Sequence, residues 1–96
     1  MDIQLTFKHI GSDDLIKEYA TTKSQRLKKY FRGRISVIWN FNIEKQNHIA
    51  HCRLVGNQMD YFGEAITDGL QSSIDIVIDK IEKQIKKHKE IVKDHH

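Results

Sequence analysis

The sequence is poor in the features that mark secreted, membrane-spanning or disulfide-stabilised proteins. Its 96 residues contain no proline and a single cysteine, Cys52, so no internal disulfide framework can form and a reducing, cytoplasmic setting fits. No apolar run reaches the length of a membrane span, and "MDIQLTFKHIG" lacks the regions of a secretory signal. With no low-complexity tract or repeat, we expect one domain over 1–94, with 95–96 a C-terminal tail or tag remnant.

Sequence signatures of enzymes and metal sites are also missing. There is no GxGxxG, P-loop or GxSxG motif. His48 and His51 are three residues apart, which places them on opposite faces of a strand, where they cannot chelate together. Cys52 alternates with Ala50 and Leu54 on an apolar face, which favours a buried structural cysteine over a nucleophile. The sequence therefore predicts a binding protein that is not an enzyme and has no cofactor or metal.

The charge of the chain is unevenly distributed. The net charge is +3, but residues 17–34 carry +6, residues 60–79 carry −5 and residues 80–93 carry +4. Two basic blocks separated by an acidic one predict a polarised molecule. A basic face of this kind is the usual electrostatic footprint of a protein that binds a polyanion.

Alternation of apolar and polar residues predicts four strands. "IQLTF" places Ile3, Leu5 and Phe7 on one face, and "RISVIWNFNIE" is the clearest strand of the chain. "HIAHCRLVG" and the weaker "MDYFGEA" follow, after turn candidates at "KQN" and "NQ". Turns this short make strands two to four an antiparallel meander.

Apolar residues at helical spacing predict two helices. The first begins after Ser12 or Asp13 as N-cap and stops near Gly33. Its apolar positions are Ile16, Tyr19, Ala20, Leu27, Tyr30 and Phe31. The second begins after Thr67 or Asp68 and continues for about six turns. Its apolar positions are Leu70, Ile74, Val77, Ile78, Ile81, Ile85 and Val92.

The predicted order is β-α-β-β-β-α, an α+β fold. A right-handed crossover makes strand one parallel to strand two, which gives a four-stranded mixed sheet. Each helix has one apolar stripe, so both should cover the same face of the sheet, as in a double-stranded RNA-binding domain. The predicted core between the layers contains Trp39, Phe41, Ile74, Ile78, Ile81 and Ile85.

Lysines on the second helix form a row of their own. At about 100° per residue, Lys80, Lys83 and Lys87 lie away from the apolar stripe, and Asp79 and Glu82 lie elsewhere around the helix. Lysines in line, with acids kept off the line, suit the phosphates of a nucleic acid. Most charge runs are only solvated faces, however, and taken alone the row fits both interpretations equally well.

A lysine also interrupts the apolar stripe of the first helix. Lys23 falls between Tyr19, Leu27 and Tyr30, so its ammonium group must reach out at the edge of the packed layer. One interpretation is an amphipathic stem that the packing tolerates. The other is that Lys23 emerges in the groove between the helices and faces the lysine row, with Arg26 and Lys29 nearby, so that cations from both helices line the groove.

The chain resembles the hibernation promoting factor family of bacterial ribosome-inactivating proteins, which includes the ribosome-associated inhibitor and sigma-54 modulation proteins. The most specific part is "IDIVIDKIEKQIKKHKE", in particular Ile74-Asp75, Asp79-Lys80, Lys83-Gln84 and Lys87-His88-Lys89. Supporting matches are Glu18-Tyr19, Lys23, Leu27, Tyr30-Phe31 and the hairpin Glu44-Lys45 to His48. The chain departs from the family at Gly69-Leu70-Gln71, where many members have Asp-Met-Tyr, and at Ser24, where an apolar residue is common.

The resemblance implies a function. Family members sit on the 30S ribosomal subunit in the channel of mRNA and tRNA, contact 16S rRNA through both helices, and block translation in stationary phase and stress. The chain looks like the short form, which pairs ribosomes into inactive dimers together with ribosome modulation factor; we expect a monomer in solution, with no membrane partner. The implied rRNA-binding residues are Lys23, Arg26, Lys29, Lys80, Lys83, Lys86 and Lys87. The alternative is a general double-stranded RNA-binding module, although such modules usually start with a helix and place their lysines at the N-terminus of the last helix.

Overall fold

The computed structural model describes the backbone of residues 1–93 and the side chains of residues 1–89, and it has the predicted order of elements. The elements are β1 (Asp2–Lys8), α1 (Asp14–Lys28), β2 (Ser36–Glu44), β3 (Asn47–Gly56), β4 (Met59–Thr67) and α2 (Leu70–Lys93). Val92, predicted as apolar on the last helix, and the tail at 95–96 lie outside the described side chains. Within the described part, no helix combines the length and apolarity needed to cross a membrane.

The sheet confirms the predicted mixed topology. Its strand order is β1-β2-β3-β4, with β1 parallel to β2 and the other pairs antiparallel. The first turn has two residues rather than the three predicted from "KQN", because Asn47 already pairs with Glu44. Lys45 and Gln58 in the two turns have φ of 57° and 62°, in the left-handed region.

Both helices cover one face of the sheet and enclose the core between the two layers. Trp39 and Phe41 stack with ring centroids 5.6 Å apart, and both are fully buried. The four predicted isoleucines of α2 are fully buried against them, which confirms the predicted core. Cys52 is buried in the same layer, and burial raises the pKa of its thiol to about 12, so it is unsuited to act as a nucleophile.

The helix ends differ from the sequence-based prediction. Asp13 caps α1 by accepting hydrogen bonds from the backbone N–H groups of Leu15 and Ile16. The helix stops at Lys28 rather than near Gly33, so Tyr30 and Phe31 lie in the following turn. At α2, the Gly69 carbonyl accepts the first helical hydrogen bond, and the Thr67 hydroxyl instead accepts a bond from the Gly69 N–H.

The polar Ser24, where the family usually has an apolar residue, is accommodated by two hydrogen bonds. The buried Ser24 hydroxyl donates to the carbonyl of Ala20 at 2.6 Å and accepts from the indole N–H of Trp39 at 2.9 Å. The tryptophan N–H would otherwise be buried without a partner, which costs about 1–3 kcal/mol. Ser24 therefore allows a tryptophan at the centre of the sheet.

Candidate nucleic-acid interface

The lysine row predicted on the last helix lies on the outer surface of α2. Lys80, Lys83 and Lys87 are exposed, on the side of the helix opposite its buried isoleucines. Ile76 continues the row by one turn towards the N-terminus and is 40% exposed. The row therefore presents an apolar side chain followed by three ammonium groups along one helix face.

Lys80 leans from this row towards the edge of the sheet. Its Nζ donates a hydrogen bond of 2.7 Å to the backbone carbonyl of Glu64 on β4. One turn later, Gln84 donates a bond of equal length to the carbonyl of Phe62. Lys80 thus has a structural partner, whereas within residues 1–89 no hydrogen bond or ion pair is found for the ammonium groups of Lys83 and Lys87.

Along Asp75 to Glu82, the groove between the helices is not lined with cations from both sides, as the sequence had suggested. Its α2 side is acidic there, because Asp75, Asp79 and Glu82 face α1. Lys23 reaches the groove as predicted, but it pairs with Asp75 at 3.6 Å and lies 5.3 Å from the ring centroid of Tyr19. The Tyr19 hydroxyl also donates to Asp75 at 2.7 Å, and this bond raises the pKa of Tyr19.

Arg26 joins the two helices through a buried carboxylate. Its guanidinium hydrogen-bonds to Glu82, which is only 6% exposed, and lies 3.7 Å from Asp79. The Tyr30 hydroxyl donates to the other oxygen of Glu82 at 2.9 Å. Burial, and then this bond, raise the pKa of Tyr30. The charge of Arg26 is therefore largely engaged inside the molecule.

These pairings correct the expected position of Lys23 relative to the lysine row. Lys23 contacts α2 on the flank that faces α1, whereas Lys80 contacts β4 on the opposite flank. Lys83 and Lys87 lie on the outer face of α2, between these two flanks. The acidic residues of the groove therefore separate Lys23 from the lysine row. They lie in the groove because they pair with the basic residues of α1.

A second group of cations surrounds the aromatic turn that follows α1. This distal cluster consists of Lys29, Lys86 and Lys89 around Tyr30 and Phe31. Lys29 Nζ lies 5.3 Å from the Tyr30 ring centroid, and Lys89 Nζ lies 5.7 Å from that of Phe31. Lys89 also donates a hydrogen bond to the Tyr30 carbonyl. The nearby charge of Lys86 opposes the rise in the pKa of the Tyr30 hydroxyl.

Lys89 is absent from the set of rRNA-binding residues predicted from the sequence. The sequence spacing could have indicated it, because Lys86 and Lys89 are three residues apart and so lie on one helix face. The early end of α1, which brings Tyr30 and Phe31 beneath both lysines, had no comparable signal. Tyr30 and Phe31 are half-buried, and the lysines beside them can bind phosphates, so the cluster extends the basic surface beyond the lysine row.

The described residues offer cations and aromatic rings rather than catalytic groups. Within residues 1–89 no three His, Cys, Asp or Glu side chains come together in a way that could hold a metal ion. At the far end of the helix groove, a shallow cavity of about 300 Å³ is lined by Leu15, Tyr19, Lys23 and Gln71. The chemistry available on this side of the molecule is binding of a polyanion.

Comparison with known proteins identifies relatives along almost the whole chain. The ribosome hibernation promoting factor of Salmonella typhimurium is 28% identical over 95 residues, covering 99% of this chain and 100% of the relative. The factor of the same name from Escherichia coli is 27% identical over the same length.

Solved structures share the fold. A ribosomal subunit interface protein from Coxiella burnetii matches with a TM-score of 0.80 at 22% identity, covering 93% of this chain and 98% of that one. The N-terminal domain of Thermus thermophilus Protein Y matches with a TM-score of 0.85, also at 22% identity, covering 92% and 99%. A family model described as "Sigma 54 modulation protein / S30EA ribosomal protein" matches residues 3–93. The chain therefore belongs to this family, that of the ribosome hibernation promoting factors.

Proposed function

We propose that the protein is a ribosome hibernation factor that binds the 30S subunit in the channel of mRNA and tRNA through the outer surface of its helices. There it blocks translation in stationary phase and, with ribosome modulation factor, promotes or stabilises inactive ribosome dimers. It acts as a cytoplasmic monomer. The family consists of ribosome-associated binding proteins without catalytic activity, so inhibition would come from occupancy alone.

One observation carries this proposal: Lys83 and Lys87 are exposed on α2, unlike Lys23, Arg26 and Lys80, whose charged groups have partners within the protein. Exposed ammonium groups that bind phosphates displace counterions condensed on the nucleic acid, which favours binding to rRNA. The distal cluster adds Lys29 and Lys86 at the same end of the helix pair, whereas Lys89 is held by the Tyr30 carbonyl. A body of 49 × 22 × 18 Å that lies on the rRNA would exclude mRNA and tRNA by its volume.

The test is a charge reversal at the two outer lysines. Lys83→Glu with Lys87→Glu should abolish cosedimentation with purified 30S subunits and inhibition of a translation extract, because it removes attraction and adds repulsion. Both residues are exposed, so the melting temperature should stay close to that of the parent. We chose this pair rather than one that includes Lys80, because replacing Lys80 would also remove its hydrogen bond to the edge of β4.

The matched control reverses two exposed lysines away from the helices. Lys8→Glu with Lys45→Glu changes the net charge by the same amount, and this variant should bind no more weakly than the parent. If the α2 variant folds and still binds and inhibits, the lysine row is a solvated face and the proposal fails. If plain RNA duplexes displace the parent from 30S subunits at equal concentration, the protein is a general double-stranded RNA-binding module instead.

A further inference from the structure

The face of the sheet opposite the helices is uncovered and carries an apolar patch. Phe62 and Ile66, on the edge strand β4, are 51% and 54% exposed. The half-buried Ile49 of β3 lies directly opposite Ile66, and the ring of His51 meets Phe62 edge-on with centroids 5.8 Å apart. Glu64 lies between Phe62 and Ile66 on the same face, so the patch consists of exposed apolar side chains on either side of a carboxylate. Exposed apolar side chains of this kind often mark a binding site.

The outward-facing charges of the sheet as a whole are mainly acidic. Alternate residues of the four strands face outwards, and among these the charged residues are four carboxylates and two cations. These residues are Asp2, Lys8, Glu44, Arg53, Asp60 and Glu64. Such a face repels phosphates, in contrast to the helix side, and favours a partner with basic side chains.

The same strand also limits how a partner can bind. Lys80 and Gln84 occupy the outward carbonyls of Glu64 and Phe62, so a second copy of the chain cannot easily add its own strand to this edge. A partner would therefore cross the face rather than extend the sheet. Next to the patch, a concavity of about 490 Å³, whose lining includes Thr6, Lys8 and Asn40, offers hydroxyl, ammonium and amide groups for hydrogen bonds to a polypeptide backbone.

We propose that this open face docks a basic polypeptide segment with apolar side chains, contributed by a ribosomal protein beside the bound factor. This inference rests on the proposed function, because 30S binding through the helices turns the sheet away from the rRNA. Apolar side chains of the segment would cover Phe62 and Ile66. Its Lys or Arg side chains would pair with Glu64 and Asp60, whose present partners, His51 and Arg53, lie at the surface.

The first experiment identifies what touches the face. Phe62 is replaced by the photo-crosslinking analogue p-benzoylphenylalanine, the protein is bound to purified 30S subunits, and the adduct is analysed after irradiation. The adduct is expected on a ribosomal protein, within a Lys- or Arg-rich segment. The same analogue at Ile76, on the lysine row, should crosslink to 16S rRNA and serves as the matched control.

Other outcomes overturn the inference in distinguishable ways. An rRNA adduct from Phe62 means that the face binds nucleic acid, and an adduct with a second copy means that the protein dimerises there. A bound variant with no adduct means that the face stays in solvent. If the parent itself does not cosediment with 30S subunits, the proposed function fails, and this inference fails with it.

The second experiment measures the contribution of the patch. Phe62→Lys with Ile66→Lys should weaken 30S binding by about tenfold or more, because it removes apolar contact and places like charges against a basic partner. The dependence of binding on salt should not become shallower, since no phosphate contact is lost. Gln4→Lys, in the same row of the sheet as Phe62 but on β1, is the control and should bind like the parent. Equal or tighter binding by the double variant overturns the inference.

Discussion

At the scale of single residues, the structure separates cations that hold the fold from cations that are available for binding. Arg26 and Lys83 illustrate the difference. Arg26 is bound to the buried Glu82 and lies near Asp79, whereas Lys83 extends from the outer face of α2. Both belong to the set of rRNA-binding residues that the resemblance implies, and sequence alone gives no reason to treat them differently.

Arg26→Ala should therefore reduce the free energy of unfolding while leaving the salt dependence of 30S binding nearly unchanged. It leaves the Glu82 carboxylate with one hydrogen-bond donor, Tyr30, at a site only 6% exposed, which should cost about 1–3 kcal/mol. Urea unfolding measures the loss, and a salt series of 30S binding measures phosphate contacts. Lys83→Ala should show the opposite pattern. If Arg26→Ala flattens the salt dependence as much as Lys83→Ala does, Arg26 contacts rRNA after all.

The buried thiol should make stability depend on pH in the alkaline range. Burial raises the pKa of Cys52 from its ordinary 9.0 to about 12, so the unfolded thiol ionises at a lower pH than the folded one. Its contribution to stability is complete below pH 9 and is lost as the pH rises towards 12. The free energy of unfolding should fall more steeply across this window in the parent than in Cys52→Ala. Parallel curves for the two proteins would contradict the assignment.

At the scale of elements, α2 lies close against β4 because a glycine faces it. A Cβ at Gly63 would come within 3.3 Å of Val77 Cγ1 and 3.4 Å of Ile81 Cγ1. Any side chain at this position would push the helix away from the sheet. The close approach is what allows Lys80 and Gln84 to reach the β4 carbonyls.

This packing predicts a coupling between two substitutions. Ile81→Ala should cost about 2–5 kcal/mol, because it removes buried carbons from the centre of the core. Gly63→Ala alone should destabilise through its tight contacts, but in the Ile81→Ala background it should cost less, since one of those contacts is gone. Thermal unfolding of the four proteins gives the coupling energy. Strictly additive effects would show that the two residues do not share a packing site.

Much of this fold was predictable from the sequence, because the patterns that specify it are local. Alternating residues such as Val37, Trp39 and Phe41 give the strands, and the isoleucine spacing gives α2 and its buried face. The end of α1 was predicted too late, since Tyr30 and Phe31 keep the helical spacing while lying in a turn. The acidic groove was missed because the partner of Lys23 depends on how the two helices dock, which no spacing along one helix reveals.

At the scale of the whole molecule, the acidic residues of 60–79 lie in two separate parts of the structure. Asp60 and Glu64 lie on the open face of the sheet, whereas Asp75 and Asp79 face α1. The outer surface of α2 is left basic from Lys80 onwards. The polarity predicted from the sequence is thus present, and it runs across the thickness of the protein.

This polarity predicts how binding depends on salt. Affinity for 30S subunits should fall steeply as salt rises. Each neutralised phosphate adds roughly 0.7–0.9 to the slope of log affinity against log salt concentration. Lys83→Gln with Lys87→Gln should therefore reduce the slope by roughly 1.4–1.8. Filter binding across a salt series measures it, with Lys8→Gln and Lys45→Gln as the control pair. An unchanged slope in the α2 variant would exclude these lysines as phosphate ligands.

The parallel pairing of β1 has a consequence for how the protein folds and opens. β2, β3 and β4 are joined by two-residue turns, so their contacts close short loops, whereas β1 reaches its one neighbour only across α1. Closing the longer loop costs more chain entropy, so the hairpins and α2 should assemble early and β1 should dock last. In the native protein the amides of β1 should then exchange with solvent before those of the other strands. The chain would come apart from its N-terminal edge while the lysines of α2 stay in place.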